Sequence, residues 1–429
     1  MFGFANFLLL ALFAAAVFDL IFALARGGGL RGALHGLWNT PHLLFGQQLA
    51  EWRLQLGRIL FAAGLAAYEI SVVFCNSMAR QNWAWVQGVM SPVLEWLAFL
   101  CFGAKILFGT RYTWRELLAG GALYFIARWV YFNSQNIWWI GIVVAVLAAK
   151  DVPLRRPLQV YFASGCAAMA VVLALHFAGI VAPDLTSERM GALRGTYGYG
   201  HPNTFGGLVF GLVLAYALLR AQKVRWMDCL LVFAVGVFLL VGPASRSAAL
   251  CTLALAVGLV FCRLRAGHSV PRWWPGTCAG MVGLTAAVSY LLPLLVIKVG
   301  PWNNDIGPAW LAKLDSLLTC RISLTWMAYR LLDVKIAGQV FNWPTVDNSF
   351  AFALFQFGPV VAALLGILFA AALLGHAKQG RRVEVCCLFA MLAYAYMEVQ
   401  PFHLTTNPTA LLLCGAVFAQ TSARWQKIE

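Results

Sequence analysis

The chain of 429 residues is 62% hydrophobic and 11% charged. Because a soluble domain carries about 25% charged residues, this composition excludes an ordinary soluble protein and predicts a polytopic membrane protein. The formal net charge of +15 does not indicate a nucleic-acid partner. The Lys and Arg residues are spread over many short loops, which is typical of cytoplasmic loops that face anionic lipid.

Apolar runs of roughly 17 to 25 residues recur along the chain, and each is long enough to cross a hydrocarbon core of about 30 Å as a helix. They predict an all-α polytopic membrane protein with about 12 to 13 transmembrane helices in a single integral membrane domain, residues 1–429. A re-entrant or interfacial segment within 33–50 would change that number by one. The predicted spans lie near residues 3–25, 58–75, 86–109, 115–131, 137–150, 157–180, 204–220, 226–242, 246–263, 277–297, 349–375, 383–399 and 408–421.

Basic residues then assign a side to each loop. Five basic clusters fall on alternate loops, which predicts that these loops are cytoplasmic. The C-terminal tail "SARWQKIE" falls on the same side. The remaining loops, 132–136, 181–203, 243–246, 298–348 and 400–407, are expected outside. The clusters are Lys105, Arg111 and Arg115; Lys150, Arg155 and Arg156; Arg220, Lys223 and Arg225; Arg263, Arg265 and Arg272; and Lys378, Arg381 and Arg382.

The first polar stretch on the predicted outer face is "RGTYGYGHPNTFGG", which begins at Arg194. Its glycines allow close backbone approach to a ligand, and Pro202 and Asn203 suit the first turn of the next helix. An arginine beside a helix N-terminus predicts an anion site. The alternative is a turn whose arginine reaches lipid headgroups.

The second stretch, "GPASRSAAL", places Arg246 at the start of a predicted span. A charge at that position is expected to face water, a headgroup or a bound anion, because burial in the hydrocarbon core is unfavourable. Ser245 and Ser247 flank it and are candidates to cap the helix or to donate to phosphate oxygens.

The third stretch is the long loop 298–348 between the tenth and eleventh predicted spans, followed by "DNSFAFALFQFG". Loops of this length are usually functional, so short helices lying on the membrane as a lid are expected. The loop carries Arg321 and Arg330. Asp347 is either the N-cap of the next helix, with Asn348 and Ser349 as alternatives, or a base at a cavity mouth.

Arginines from separate outer loops together with one carboxylate predict a site for a phosphorylated lipid. Arginine binds diphosphate oxygens bidentately and stays charged at any working pH. The sequence has no paired-carboxylate metal motif, so neither a metal nor another cofactor is expected. Arginines would neutralise a diphosphate leaving group, and Asp347 would take the proton from an attacking sugar hydroxyl.

At these residues the chain resembles the O-antigen ligase and Wzy-type polysaccharide polymerase superfamily of bacterial inner membranes. The resemblance rests on the segment from Arg194 to Asn203, the Ser245–Arg246 turn, and Asp347 with Asn348, Ser349 and Phe350. "LLTCRISL" is similar to an element of exopolysaccharide polymerases, with Cys320 where glycine is usual. Together these motifs cover residues 190–360.

The resemblance implies a metal-independent glycosyltransferase of GT-C type, with an outer loop over a lateral cavity, in the bacterial plasma membrane. Its substrate would be undecaprenyl-diphosphate-linked oligosaccharide, and a chain-length regulator protein is a candidate partner. Arg194 and Arg246 would hold the donor diphosphate. Asp347 stands where ligases usually carry histidine, which favours a polymerase and leaves His201 and His403 as alternative proton-transfer groups. The further candidates for substrate contacts are Arg321, Asn203, Asn348, Tyr199, Arg128 and Arg330.

Several secondary assignments stay open. Trp302, Tyr197 and Tyr199 are candidates to stack on sugar rings or to anchor at the membrane interface. Glu398 is either part of a sugar groove, with Asn407, or a helix-end residue. Two other functions compete with a polymerase: a ligase that transfers the glycan to another acceptor, and a transporter or flippase, which would need midplane polar residues and internal repeats.

Overall fold

The computed structural model describes residues 2–25, 29–44, 51–181, 187–189, 192–297 and 306–418. The candidate stacking residue Trp302, the start of the predicted lid loop, and the tail beyond residue 418 lie outside these ranges. The prediction that the tail is cytoplasmic therefore stays a prediction.

Helices account for most of the described residues, in agreement with the all-α prediction. The α-helices are α1 Phe2–Ala25, α2 Gly29–Asn39, α3 Glu51–Cys75, α4 Ala79–Asn82, α5 Ser91–Phe108, α6 Trp114–Ser134, α7 Ile137–Ala148, α8 Arg155–Phe177, α9 Pro202–Leu219, α10 Trp226–Val241, α11 Arg246–Leu264, α12 Trp274–Leu291, α13 Ala309–Leu317, α14 Arg321–Leu331, α15 Ser349–Phe352, α16 Pro359–Lys378, α17 Arg382–Met397 and α18 Cys414–Val417. Short strands form two antiparallel pairs: β1 His42–Leu43 with β2 Arg111–Tyr112, and β3 Ser187–Arg189 with β4 Ala192–Arg194.

Within the described ranges, eight helices are long and apolar enough to cross a membrane, so the chain is a multi-pass membrane protein. The first lies within α1, six more contain or coincide with α3, α5, α8, α9, α11 and α12, and the eighth is α16. Three shorter apolar helical stretches are Ile137–Ala148, Trp226–Val241 and Pro408–Val417. Each predicted span overlaps helical structure among the described residues, and α6 and α17 lie where two more spans are predicted.

One predicted span is wrong as a continuous helix. Residues 349–375 form α15, a π-helical turn at Ala353–Phe357, and then α16. The break is at Gly358, whose φ of +88° favours glycine. A Cβ on Gly358 would lie 2.1 Å from the Ile336 carbonyl oxygen, so the preceding loop packs directly on the break.

The chain folds into two compact units. Unit 1 comprises Met1–Arg128, Ile140–Leu208 and Ala410–Glu429, and in it α3 packs against α5 and α8. Unit 2 comprises Trp129–Trp139 and Val209–Thr409, and in it α11 packs against α10 and α17 while α12 packs against α16. The predicted single membrane domain stays a prediction.

Two lysines that belong to the predicted basic clusters, Lys105 and Lys150, are fully buried in unit 1. The Lys150 ammonium lies 3.3 Å from a Glu116 carboxylate oxygen and 3.7 Å from one of Asp151, and it donates to the Arg111 carbonyl. Lys150 is thus neutralised within the protein. It contributes less exposed positive charge than the sequence alone suggests.

Candidate functional site

A buried cluster of ionic and polar side chains lies in unit 2, where α11 begins and α17 ends. Arg321, Glu398 and Ser247 are each at most 7% exposed. The Arg321 Nη2 donates to Glu398 Oε1 over 2.6 Å and to the Ser247 hydroxyl over 3.2 Å. Ser247 in turn donates to Glu398 Oε1 over 2.8 Å. Three segments that are distant in sequence therefore meet at one charged pair.

Arg321 uses all five of its N–H donors inside the protein. Besides the two bonds of Nη2, its Nε donates to the Met397 carbonyl. Its Nη1 donates to the Leu318 carbonyl over 2.8 Å and to the Thr319 hydroxyl. These hydrogen bonds stabilise the local fold. In this conformation Arg321 has no N–H group left to donate to a substrate, so the predicted direct substrate contact is not available to it.

Asp315 stabilises the start of α14, the helix whose first residue is Arg321. Its Oδ1 accepts the backbone N–H groups of Ile322 and Ser323 at 2.8 and 3.1 Å, which satisfies two buried donors that have no partner within α14 itself. Cys320, directly before α14, has a φ of +64°. A position with this φ is suited to glycine, which is the residue usual in the polymerase element.

Two short helices, α13 and α14, lie within the segment 298–348, where short helices are expected; that this segment is an extracytoplasmic lid stays a prediction. They share a small core of Leu311 and Ile322 with Ile306 and Val296. This packing holds the segment 306–331 in place. Whether it covers a cavity stays a prediction.

Three residues, Asp347, Asn348 and Ser349, are candidates for the N-cap of α15. The N-cap is Asn348 and not Asp347. Asn348 Oδ1 accepts from the N–H groups of Phe350 and Ala351 at 2.9 and 3.1 Å. Its Nδ2 donates to the Ser289 hydroxyl and the Tyr396 carbonyl, each over 3.1 Å. Its amide is therefore committed within the protein, whereas Asp347 is half-buried and is not used as the cap.

Arg246 occupies the first position of α11 and is exposed. The side chain of the preceding Ser245 makes no capping hydrogen bond, so this part of the capping expectation is wrong. Ser247 bonds to Glu398 instead. The backbone that carries Arg246 is therefore held by the Arg321–Glu398 pair.

The Glu398 carboxyl lies just beyond the last residue of α17. Burial raises its pKa to about 7, and the nearby Asp347 carboxylate adds to that rise, whereas Arg321 and the Ser247 hydroxyl oppose it. By contrast, burial lowers the pKa of His403 to about 3. The imidazole of His403, whose ring centroid lies 3.8 Å from that of Trp138, is thus a weak base at neutral pH.

An apolar groove of about 590 Å³ runs between α12 and α16 in unit 2. Small residues form much of its wall, among them Gly280, Gly283 and Gly366. Tyr290 and Phe350 also line it, and Phe350 follows Asp347 by three positions. The groove therefore includes the turn that directly follows Asp347.

In unit 1, the first polar stretch folds around the start of α9. The buried Arg194 donates through Nη2 to Asn203 Oδ1 over 2.9 Å. The exposed His201 accepts the Asn203 N–H at Nδ1 over 3.1 Å, as a helix-capping group does. The structure thus brings Arg194, Asn203 and His201 together and gives His201 a local structural role.

Three other candidate contact residues are engaged elsewhere. The Tyr199 ring is fully buried and packs 5.6 Å from that of Phe205, so it is not a surface for sugar stacking in this conformation. Arg128 donates through Nε to Asn6 Oδ1 over 2.7 Å. Arg330 is exposed, and its guanidinium lies 5.3 Å from the ring centroid of Trp326.

No protein-family model, curated protein or solved structure matches the chain. The family resemblance therefore stays a prediction based on the motifs.

The sequence predicts two alternative roles for Glu398, in a sugar groove or at a helix end, and does not predict its pairing with Arg321. An acidic residue after an apolar run is an ordinary helix end, and 77 positions separate the two partners.

Proposed function

We propose that this protein is a metal-independent glycosyltransferase of GT-C type in the bacterial plasma membrane. It would join undecaprenyl-diphosphate-linked oligosaccharide repeats into a polysaccharide on the extracytoplasmic face. The observation that carries the proposal is the buried Arg321–Glu398–Ser247 cluster, because it fixes an exposed arginine, Arg246, at the first turn of a helix.

Arg246 combines two features of an anion site. Its guanidinium can bind two phosphate oxygens at once, and it lies at the first turn of α11, where the positive end of the helix dipole favours an anion. Arg246 is therefore assigned to the donor diphosphate. Arg321 is then a positioning residue that, through Glu398 and Ser247, holds the backbone of Arg246. The same role for Arg194 comes from the resemblance.

Asp347 is assigned to the acceptor. In the transfer step, the bond between C1 of the donor sugar and the diphosphate oxygen breaks, and the acceptor hydroxyl oxygen forms the new bond to C1. The hydroxyl proton passes to Asp347, and undecaprenyl diphosphate leaves with both electrons of the broken bond. His403 is a weaker candidate for this proton because of its low pKa.

The groove between α12 and α16 supports a lipid-linked substrate. Its wall is apolar and built largely of small residues, which suits a branched polyprenyl chain. Helices α13 and α14 would form the lid over the sugar-binding side. Neither feature by itself distinguishes a polymerase from a ligase.

The test is an assay of the purified protein with lipid-linked repeats as the only substrate. A polymerase gives a ladder of products, whereas a ligase gives none until a separate acceptor is added. Arg246→Ala is expected to lower turnover by about 10²- to 10³-fold, and Arg246→Lys is expected to restore only part of it.

Arg263→Ala is the matched control, because Arg263 is an exposed arginine in the last turn of the same helix. It is expected to leave turnover unchanged. Normal turnover in Arg246→Ala would contradict the assignment of the diphosphate to this residue.

A further inference from the structure

Helix α2 in unit 1 carries three distinct stripes along its length. Ala33 and Leu37 are buried. Beside them, an apolar stripe is left exposed: Leu30 at 57%, Leu34 at 37% and Trp38 at 39%. Next around the helix comes an exposed polar stripe of Arg31, His35 and Asn39. Residues four apart share a helix face, so each stripe is continuous.

This helix is too short to cross a membrane. Its 11 residues span about 16 Å, roughly half of the hydrocarbon core. It packs against α1, and both α1 and α3, the helices on either side of it in sequence, are long and apolar enough to be spans. An exposed apolar stripe between two membrane helices is therefore placed at the bilayer rather than in water.

The contacts of α2 and the segment after it place both at the basic end of unit 1. Strand β1, just after α2, pairs with β2, which contains Arg111. Arg53 donates to the carbonyls of Leu44 and Phe108, each over 3.0 Å. The guanidinium of Arg115 lies 5.4 Å from the ring centroid of Trp38. The segment that contains α2 and β1 therefore lies at the same end of unit 1 as the basic cluster of Lys105, Arg111 and Arg115, and α2 itself contains no acidic residue.

We propose that α2 is an interfacial helix that lies in the headgroup layer at the basic end of unit 1 and binds anionic phospholipid there. Its apolar stripe enters the acyl-chain region, and Arg31, His35 and Arg115 face the phosphate groups. This inference is independent of the proposed function, because none of these residues belongs to the candidate site.

The first experiment uses the full-length protein in nanodiscs, with a benzophenone amino acid incorporated in place of Leu34 or, as the control, Gly36. The position of Gly36 is exposed and has open space around it, on the side away from the apolar stripe. Irradiation is expected to give a lipid adduct on the peptide that contains position 34 and much less at position 36. Equal lipid labelling at both positions, or a protein cross-link at 34, overturns the proposal.

The second experiment tests the preference for anionic lipid. Nanodiscs of phosphatidylcholine alone are compared with nanodiscs containing both phosphatidylcholine and phosphatidylglycerol, and adducts at position 34 are identified by mass. Phosphatidylglycerol adducts are expected to exceed their share of the lipid by about fivefold, and Arg31→Gln is expected to reduce that excess. Adducts in proportion to lipid composition overturn the anionic assignment.

Discussion

The exposed Arg246 and the buried Arg321 have different surroundings, although both are arginines near predicted outer loops. Every N–H group of the Arg321 guanidinium donates a hydrogen bond within the protein, whereas Arg246 is exposed at the start of a helix. The sequence motifs identify both residues but cannot separate their roles. What distinguishes the two roles is the ion pair of Arg321 with Glu398. Hydropathy alone predicts only that Glu398 lies at the end of a span.

The raised pKa of Glu398 predicts a pH effect on stability. The folded-state value of about 7 lies above the ordinary 4.5, so the contribution of Glu398 is full below pH 4.5 and is lost as pH rises through 7. This corresponds to about 3 kcal/mol. The melting temperature in detergent is expected to fall over this window in the wild type. It should fall less in Glu398→Gln, which cannot ionise.

Glu51→Gln is the control for that comparison, because Glu51 is an exposed carboxylate at the start of α3. Its melting curve against pH is expected to follow the wild type. If Glu398→Gln and the wild type give parallel curves, the raised pKa of Glu398 is wrong.

The backbone at Cys320 favours glycine, which is the residue usual at this position in the polymerase element that the stretch resembles. At a φ of +64° a side chain is strained. Cys320→Gly is therefore expected to stabilise the protein by about 1 kcal/mol, measured as a higher melting temperature. Thr319→Gly is the comparison, because its φ is +58° but its hydroxyl accepts from Arg321. A gain for Thr319→Gly equal to that for Cys320→Gly would contradict this account.

At the scale of the elements, the sequence predicts the helices well and their interruptions poorly. Apolar runs are long and unambiguous, so each predicted span meets a helix. The predicted span 349–375 does not include the break at Gly358, although Pro359 follows it, because the apolar run continues through both residues. Hydropathy predicts which residues are buried in lipid but does not predict where the backbone changes direction. The Gly-Pro pair does indicate such a change.

The contact between that break and the preceding loop predicts a strong effect of added side chains. A Cβ on Gly338 would lie 2.0 Å from the Gln356 carbonyl oxygen, and one on Gly358 would lie 2.1 Å from that of Ile336. Both residues also have a positive φ. Gly338→Ala and Gly358→Ala are therefore expected to lower the melting temperature by several degrees each, corresponding to at least about 1 kcal/mol.

Gly366→Ala is the matched control, since Gly366 lies inside α16 with no atom within 4 Å of a Cβ. Alanine is the better helix former, so this change is expected to be neutral or stabilising. The same loss at 366 as at 358 would show that the close approach is not the cause.

For the whole molecule, the charge of each loop is the sequence feature that predicts which side of the membrane the loop faces. The structure shows that not every Lys in such a loop adds exposed charge. Lys150 sits beside Glu116, which also caps α6: the Thr113 N–H donates to Glu116 Oε2 over 2.9 Å, and the Glu116 N–H donates to the Thr113 hydroxyl over 3.3 Å. The stretch "TWRE" at 113–116 is a capping-box signature that the sequence did offer. Exposed arginines such as Arg155 and Arg156 carry the remaining charge of that cluster.

This distinction predicts opposite results for two cations of the same basic cluster. Lys150→Met leaves the buried Glu116 carboxylate without its partner, so the free energy of unfolding is expected to fall by about 3 to 5 kcal/mol. Arg156→Met removes the same charge from an exposed position and is expected to change stability by less than about 0.5 kcal/mol. Thermal melting of both variants in detergent measures the difference. Adding Glu116→Gln to Lys150→Met should recover part of the loss, because the unpaired charge is then gone. Equal melting temperatures for the two single variants would mean that the buried network does not hold these loops together.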